Sequence, residues 1–470
     1  MYVEQLYTGC LAEAAYYIES EGEAAVVDPL RESAPYLERA EVNNAKIKYV
    51  LETHFHADFV SGHLDLAKKT GAKIVFGPTA QPNYEAHVAE DGEELQLGKI
   101  RIKILHTPGH TMESTTFLLI DEHGANHAIF TGDTLFIGDV GRPDLAVKTD
   151  LSEEDLAGHL FDSLRNKVLP LEDDIIVYPA HGKGSACGKL MSDETVDSLG
   201  HQKKFNYALR ADMSKEEFIK EVLTGLATPP QYFPKDATLN KMGYESFDDI
   251  LARGNVGYEV EEFIQLAETQ KAIILDTRPK QIFAEGFIPG SIFIGLEDNF
   301  APWVGALITD MQQPILLVNE EGKEEEAITR LARVGYDNPI GYLKGGFETW
   351  KGAGKNWVNI DHMKATQFAH DYQDNPNIAM LDVRRKSEFD SEHIVGAQNF
   401  PLDFINDLMG SLEKHQRFYL YCRSGYRSAI ACSILRANGF ENLVNIESGF
   451  EALLETDLPR TEFKEPITML

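Results

Sequence analysis

Histidine and aspartate residues follow the ends of several apolar, strand-like runs in the first part of the chain. The run IKYVLET leads into two histidines and an aspartate, and three later runs each lead into one further His or Asp. Imidazole and carboxylate groups at successive strand ends suit Zn²⁺ or Fe²⁺. One such histidine alone would more often be structural, but the ordered set predicts a metal centre. Its members are His54, His56, Asp58, His110, Asp133 and His181.

A cysteine near the end of the chain forms a second candidate site. The apolar run RFYLYC ends at Cys422, and a short loop with Arg423 and Gly425 leads into a helix-like run that contains Arg427. The backbone N–H groups of such a loop and the positive end of the helix stabilise an anion, and the arginines add positive charge. The arrangement favours Cys422 as a thiolate nucleophile, or as the persulfide that forms when it takes up sulfur.

Alternating strands and helices must position the first site. Short apolar runs separated by turn signals fill the first ~190 residues, and DMSKEEFIKEVLTGL then reads as an amphipathic helix. The segment ATPPQYFPKDATLNKMGY combines Pro, Gly and aromatic residues. This composition is typical of a fixed connector rather than of a flexible linker.

The second half of the chain contains an internal repeat. Asp276-Thr-Arg278 matches Asp382-Val-Arg384, and each copy has the order strand, helix, strand, helix. This order predicts two small α/β domains with parallel sheets. Asn319 in the first copy stands where the second has Cys422, so the first copy lacks a sulfur nucleophile and we interpret it as a spacer or docking element. The predicted domains are residues 1–256, 257–356 and 357–470.

Composition excludes several functional classes. The chain has 470 residues, with 75 acidic and 44 basic side chains and a formal net charge of −31. This acidity disfavours nucleic acids and anionic membranes as partners. No apolar run reaches the ~18 residues of a membrane span, and the first residues do not resemble a signal peptide. We therefore expect a cytoplasmic protein, and four cysteines are too few for a disulfide framework.

The first ~200 residues resemble the metallo-β-lactamase superfamily. The resemblance rests on HFHAD and on the Gly-His, Gly-Asp and Ala-His pairs at His110, Asp133 and His181, and it implies an αββα sandwich. Binuclear hydrolases of the superfamily carry a further histidine where this sequence has Phe59, so a second metal would lose a ligand. The segments GDVGRPDL and SLGHQKKFN are similar to the persulfide dioxygenase branch, which implies a mononuclear Fe²⁺ site with two histidines and one carboxylate.

This resemblance implies roles for individual residues. One Fe²⁺ per chain would be held by His54, His110 and Asp133. The residues His56, Asp58 and His181 would hydrogen-bond and orient groups at the iron, or else ligate a second metal in a binuclear zinc thioester hydrolase.

Three further residues are candidates near the metal. Arg142 and Tyr178 are expected to bind substrate, although Arg142 is about equally well explained by a structural pair with Asp144. Cys187 lies in a Gly-rich loop after His181 and is expected to be an accessible catalytic thiol close to the metal, which receives or relays a sulfane sulfur, with a packing role as the alternative.

Residues ~357–460 resemble rhodanese-type sulfurtransferases. The resemblance rests on the loop Cys422-Arg-Ser-Gly-Tyr-Arg427 and on the motif Asp382-Val-Arg384. A cysteine-dependent phosphatase is the alternative, but it would carry Arg at the sixth position after Cys, where this chain has Ser428. The shorter loop suits sulfur or sulfite better than a phosphoryl group.

Together the two resemblances imply one function in sulfide detoxification. The N-terminal site would oxidise a low-molecular-weight thiol persulfide with O₂ to sulfite and thiol. Cys422, Arg423 and Arg427 would transfer sulfur between a persulfide and sulfite or thiosulfate. The alternatives are a glyoxalase II-like zinc hydrolase fused to a rhodanese, and a non-catalytic sulfur carrier. The large α/β surfaces suggest a homo-oligomer, while the sequence leaves open the thiol carrier and the direction of transfer.

Overall fold

Two six-stranded mixed sheets form the centre of the first structural unit. The computed structural model describes residues 1–146, 151–297 and 299–465, and the first unit holds Met1–Phe247 with Arg333–Gly335. The first sheet contains β1 (Tyr2–Thr8), β2 (Glu13–Ser20), β3 (Glu23–Val27), β4 (Lys46–Glu52), β5 (Lys73–Phe76) and β6 (His87–Val88) in this order. The second contains β7 (Glu94–Leu97), β8 (Ile100–His106), β9 (Thr115–Ile120), β10 (Asn126–Gly132), β11 (Ile176–Pro179) and β12 (Asp197–Ser198).

Apolar side chains from both sheets interdigitate in one core. Tyr16, Val27 and Leu51 of the first sheet pack with Ile102 and Phe117 of the second. Helices cover the two outer faces, so the first unit is the predicted αββα sandwich. The helices are α1 (Ala34–Val42), α2 (His63–Thr70), α3 (Glu153–Ser163), α4 (Leu199–Phe205), α5 (Lys215–Leu223) and α6 (Phe233–Met242), with a π-turn at Leu164–Val168 and a 3₁₀ turn at Tyr207–Leu209.

The connector segment contains a helix that the sequence analysis did not specify. The amphipathic helix predicted before the connector is α5, which begins at a capping box, in which Ser214 and Glu217 satisfy each other's backbone N–H groups. The Pro-rich connector, however, contains the full helix α6, with Pro234 in its first turn, where a missing N–H costs no hydrogen bond. This helix contributes to the first site, as described below.

The second unit holds Asp248–Ala332 and the chain from Tyr336 onward. It contains two five-stranded parallel sheets of the same topology, one for each copy of the repeat, as predicted. The first copy comprises α7 (Phe247–Gly254), β13 (Gly257–Tyr258), α8 (Val260–Gln270), β14 (Ile273–Asp276), α9 (Lys280–Glu285), β15 (Ile292–Phe293), α10 (Phe300–Leu307), β16 (Ile315–Val318), α11 (Glu324–Ala332), β17 (Pro339–Leu343) and α12 (Gly346–Gly352).

The second copy repeats this order with short extra turns. It comprises β18 (Asp361–Met363), α13 (Ala365–Asp374), β19 (Met380–Asp382), α14 (Lys386–Ser391), β20 (Gln398–Asn399), α15 (Ile405–Leu408), β21 (Phe418–Tyr421), α16 (Tyr426–Ala437), β22 (Leu443–Ile446) and α17 (Gly449–Leu453), with 3₁₀ turns at Leu402–Phe404 and Met409–Ser411. The fold class is therefore α/β throughout, as expected.

Candidate metal centre and cysteine loop

The six candidate ligands follow four strand ends, as predicted. His54, His56 and Asp58 come after β4, His110 after β8, Asp133 directly after β10 and His181 after β11. All six are at most 5% exposed. Their ligand atoms form two groups of three, and within each group all atoms lie within 4.8 Å of one another. One group is His54, His110 and Asp133, and the other is His56, Asp58 and His181.

Glycines before two of the ligands permit close approach of the backbone. Gly109 has a φ of 150°, and a Cβ at this position would lie 2.4 Å from the Cα of Leu160 in α3. Gly132 has a φ of 52°, and its Cβ would lie 2.5 Å from Oγ1 of Thr53. Only glycine fits these two positions without strain. The Gly-His and Gly-Asp pairs of the sequence are thus explained by the packing.

Hydrogen bonds from the far side of each ring orient the histidines. Nδ1 of His110 lies 2.8 Å from the backbone oxygen of Arg142, and Nδ1 of His181 lies 3.2 Å from that of Ala12. Since a carbonyl only accepts, both Nδ1 atoms carry the proton, and Nε2 is left as a lone pair. These Nε2 atoms lie 3.4 and 3.5 Å from the two carboxylate oxygens of Asp133.

This cluster of acceptors fits a bound cation. Both oxygens of Asp133, Nε2 of His181 and Oδ1 of Asp58 are buried and have no hydrogen-bond partner among the residues that the structure describes. Buried acceptors that face one another without a donor are unfavourable unless a cation lies between them. Burial, together with the neighbouring His56 and His110, holds the pKa of His54 well below its usual value, so the ring is neutral, as a metal ligand must be.

Thr53 fixes the ring of His54. Its hydroxyl lies 3.0 Å from Nδ1 of His54, and it donates at 2.8 Å to Asp28. Thr53 also donates its backbone N–H to Asp28 at 2.8 Å. The buried carboxylate of Asp28, which directly follows β3, therefore holds the loop after β4. The sequence analysis did not identify this residue.

His56 pairs with carboxylates behind the ligand group. Its Nε2 lies 3.1 Å from Asp28 and 3.8 Å from Glu52. Burial alone would lower the pKa of His56, but the charges of Asp28, Glu52 and Asp58 raise it to about 9. The ring of Phe59 packs on His56 at a centroid distance of 4.3 Å and is fully buried. The phenyl ring of Phe59 therefore offers no ligand atom at this place in the loop.

His63 does not take the place of that missing ligand. Its Nδ1 lies 3.6 Å from Glu52, and its ring packs between Tyr84 and Tyr244. Among the residues that the structure describes, it belongs to none of the groups that could hold a metal ion. Burial, followed by the charge of Arg31, lowers the pKa of His63 to about 3.

Cys187 lies beside the metal-ligand candidates, but it is not accessible. Its sulfur groups with Asp133 and His181 within 4.8 Å, while the residue is only 1% exposed. Burial, and then the charges of Asp58 and Asp133, raise the pKa of its thiol well above the usual value. The expected proximity is therefore present, whereas the expected exposure is wrong, because the loop folds back onto the site.

The guanidinium of Arg142 is fully engaged by the protein. It forms a bidentate pair with Asp144 at 2.7 Å and also donates to the backbone oxygens of Ala186 and Ala227. Its side chain is only 1% exposed. These contacts support the structural alternative over the expected substrate contact, because few donor atoms are left for a substrate.

Tyr178 packs against the core of the sandwich and is partly exposed. Its ring stacks on Phe130 at 5.2 Å and lies 5.1 Å from Tyr16. The expected substrate contact of Tyr178 stays a prediction.

Asn240 of α6 is a site residue that the sequence analysis missed. Its Nδ2 donates to the backbone oxygens of His56 and Phe59 at 2.8 and 2.7 Å, and its Oδ1 accepts the N–H of Ser61 at 2.9 Å. The residue is 1% exposed. A single amide therefore satisfies three backbone groups of the ligand loop. The only signal in the sequence was the unusual aromatic content of the connector.

The cysteine loop of the second unit has the predicted order of strand, loop and helix. Cys422 directly follows β21, and its sulfur accepts the backbone N–H of Gly425 at 3.1 Å and the hydroxyl of Ser428 at 3.5 Å. Gly425 has a φ of 93°, so the turn before α16 requires glycine. A buried sulfur with two hydrogen-bond donors is suited to hold negative charge.

Both arginines of the loop are paired with glutamates. Arg427 donates to both carboxylate oxygens of Glu388, at 2.5 and 2.8 Å, and Arg423 donates to Glu451 at 2.8 Å. Arg423 is largely exposed, whereas Arg427 is largely buried. The arginines that we expected to act on Cys422 are thus partly neutralised.

The corresponding loop of the first copy holds Asn319. Its Oδ1 accepts a hydrogen bond from the hydroxyl of Thr277, and its Nδ2 is buried with no partner in the described parts of the chain. The structure therefore places an amide where the second copy has its thiol.

Family models match most of the chain. The model of the metallo-beta-lactamase superfamily matches residues 8–181, and that of the rhodanese-like domain matches residues 259–353 and 365–456. Among the residues that the structure describes, every helix is too short or too polar to cross a lipid bilayer.

Individual relatives have two different activities. The chain is 33% identical to hydroxyacylglutathione hydrolase GloC of Haemophilus influenzae, over 36% of this chain and 85% of that protein. It is 30% identical to the mitochondrial persulfide dioxygenase ETHE1 of Homo sapiens, over 42% of this chain and 70% of that protein. For four such curated relatives, the match with this chain covers 53% to 85% of the relative's own length.

One solved structure extends further along the chain. A metallo-beta-lactamase from Staphylococcus aureus subsp. aureus COL has a TM-score of 0.64 and 30% sequence identity, and the match covers 73% of this chain and 98% of that chain. The fold and the acceptor cluster together support a metal centre in the first unit.

Proposed function

Because the chain belongs to the metallo-beta-lactamase superfamily and carries two rhodanese-like domains after the superfamily domain, we propose that it is a persulfide dioxygenase with sulfurtransferase activity. The substrates are small sulfur compounds: a low-molecular-weight thiol persulfide, O₂, and sulfite or thiosulfate. The proposed parts are residues 1–256 for oxidation, 257–356 without a catalytic cysteine, and 357–470 for transfer.

The observation that carries the proposal is the group of His54, His110 and Asp133, together with Phe59, whose ring packs on His56 of the neighbouring group and offers no ligand atom. Two histidines and one carboxylate are the ligands of mononuclear Fe²⁺ oxygenases. When bound, Fe²⁺ supplies the redox chemistry with O₂ in sites of this kind. The balanced reaction is RSSH + O₂ + H₂O → RSH + SO₃²⁻ + 2H⁺.

The residues of the chain orient and shield this site. Backbone acceptors hold the Nδ1 protons of His110 and His181, and Thr53 holds the ring of His54. The burial of all six acidic and histidine side chains excludes bulk water. In this proposal the buried thiol of Cys187, which lies within 4.8 Å of ligand atoms of Asp133 and His181, contacts the terminal sulfur of the bound persulfide.

Cys422 performs the second reaction in this proposal. The N–H of Gly425 and the hydroxyl of Ser428 hold the negative charge of its thiolate or persulfide. The persulfide then gives its outer sulfur to sulfite, which yields thiosulfate, or the same steps run in reverse.

The decisive experiment is O₂ uptake by protein loaded anaerobically with iron and supplied with glutathione persulfide, while sulfite and thiosulfate are quantified. We expect rapid uptake with sulfite as product, and about one iron per chain in metal analysis. No uptake with glutathione persulfide or other thiol persulfides would overturn the dioxygenase proposal.

A binuclear zinc thioester hydrolase is the second candidate. The group of His56, Asp58 and His181 favours it, because these residues supply three ligand atoms beside the first group, and the relative from Haemophilus influenzae is a hydroxyacylglutathione hydrolase. Two zinc ions per chain and hydrolysis of S-lactoylglutathione, without O₂ uptake, would identify this activity.

A further inference from the structure

A lysine of the first rhodanese-like copy contacts the cysteine loop of the second. Nζ of Lys280, the first residue of α9, donates to the backbone oxygen of Ser424 at 3.0 Å. Ser424 lies between Cys422 and the start of α16. The copy without a catalytic cysteine therefore reaches the loop of the copy that has one, and both lie in the same structural unit.

Two buried hydrogen bonds anchor α16 on the edge strand of the first copy. The hydroxyl of Tyr426 donates to the backbone oxygen of Gly295, and the N–H of Phe293 in β15 donates to the hydroxyl of Ser433, both at 3.0 Å. Tyr426 and Ser433 lie about two turns apart and hence on one face of α16. Since α16 begins at the loop of Cys422, this contact fixes Lys280 relative to the loop.

The charges around the loop are unequally compensated. Arg427 is paired with Glu388 and Arg423 with Glu451. By contrast, the ammonium group of Lys280 forms no ion pair with a carboxylate in residues 1–146, 151–297 and 299–465. Within the described part of the chain, Lys280 is therefore a cation at this loop whose charge is not compensated by a carboxylate.

The two copies of the repeat differ at the partner of this lysine. Lys386 is the first residue of α14, as Lys280 is of α9. In each copy, one residue separates the arginine of the Asp-x-Arg motif from this lysine. Lys386 is paired with Asp390 at 2.8 Å, whereas the first copy has Ala284 at the position of Asp390. A cation in the first turn of a helix is unfavourable for stability, so helix stability does not explain Lys280.

We propose that Lys280 binds doubly charged sulfur oxyanions, such as thiosulfate and sulfite, and that the first copy thereby completes the sulfurtransferase site. The inference rests on the proposed transfer through Cys422. In that reaction the Cys422 thiolate forms a bond to the outer sulfur of thiosulfate, the S–S bond of thiosulfate breaks, and sulfite leaves with the electron pair. An ammonium at the rim attracts the dianion to a chain whose net charge of −31 would otherwise repel it.

The test is the steady-state transfer of sulfur from thiosulfate to cyanide by the full-length chain. We expect Lys280→Met to raise the KM for thiosulfate about tenfold, which is about 1.4 kcal/mol, with little change in kcat. Lys280→Gln retains a donor for Ser424 without the charge and should raise the KM similarly, whereas Lys280→Arg should restore it. High salt should reduce the difference between the variants and the parent.

Lys386→Met is the matched control, because it removes the equivalent but ion-paired lysine and should leave the KM within about twofold. A normal KM in both Lys280→Met and Lys280→Gln would overturn the inference, provided that Cys422→Ser abolishes transfer. Transfer that persists in Cys422→Ser would instead overturn the proposed function of the loop. A raised KM in Lys280→Met with a normal KM in Lys280→Gln would also contradict charge recognition.

Discussion

His110 and Arg142 are joined by a hydrogen bond from Nδ1 of the histidine to the backbone oxygen of the arginine, at 2.8 Å. The backbone N–H of Arg142 in turn donates to the backbone oxygen of Cys187 at 2.9 Å. One residue thus orients a candidate metal ligand and holds the loop of the buried thiol. The guanidinium of Arg142 keeps this backbone in place through Asp144, Ala186 and Ala227.

Arg142→Met is expected to destabilise the first unit and to weaken metal binding. It would leave the largely buried Asp144 unpaired, at a cost of about 3 kcal/mol in the free energy of unfolding, and metal affinity should fall about 10- to 100-fold. Urea denaturation and metal titration measure the two effects. Lys183→Met, which removes an exposed pair with Asp193, is the control. A raised KM for persulfide with unchanged stability would instead favour a substrate contact.

Removal of a ligand should separate the two activities. In His54→Ala or Asp133→Ala, we expect the metal content to fall about tenfold or more, because each variant deletes one of three ligands. O₂ uptake should be lost, whereas transfer from thiosulfate to cyanide should stay within about twofold. The exposed His123 offers a control in His123→Ala. Full metal content in both ligand variants would contradict the assignment.

Cys422→Ser should have the opposite effect. A serine hydroxyl is not ionised at neutral pH, so sulfur transfer should fall by more than about 100-fold. Metal content and O₂ uptake with glutathione persulfide should remain. Cys10→Ser, which changes a thiol outside both sites, should leave transfer unchanged. Intact transfer in Cys422→Ser would require another nucleophile.

Asn240→Ala should loosen the loop of the metal ligands from a distance. Three backbone groups would lose their partner, which we expect to cost about 3 kcal/mol in the free energy of unfolding. Metal affinity should fall about 10-fold or more while sulfur transfer is retained. Thr238→Ala on the exposed side of the same helix is the control. Unchanged metal affinity would show that the loop holds its shape without Asn240.

Local patterns were sufficient to predict the strand-end ligands and the cysteine loop. Apolar runs that end in His or Asp form buried strands because their side chains fill the core between the sheets, and the polar residues after them must then meet at one edge. Phe59 could be interpreted from the sequence for a different reason. A phenyl ring cannot bind a metal, so this one position lowers the number of metal ligands that the motif is expected to supply.

Contacts between distant segments were not predictable in this way. Asn240 lies 184 positions from His56, and nothing in the connector's composition specifies that its helix ends at the ligand loop. The pairing of Arg427 with Glu388 likewise depends on how two helices of one domain approach each other. The exposure of Cys187 was wrongly predicted because a Gly-rich loop can fold inward when other groups hold its backbone.

The two copies of the repeat retain the same internal ion pair. Arg278 binds Asp276 and the backbone oxygen of Gly286, and Arg384 binds Asp382 and that of Glu392, with equal distances of 2.9 Å to the backbone oxygens. This shared ion pair lies outside the reactive loop in both copies. A residue change within the loop, such as Asn319 in one copy against Cys422 in the other, therefore leaves this support of the module intact.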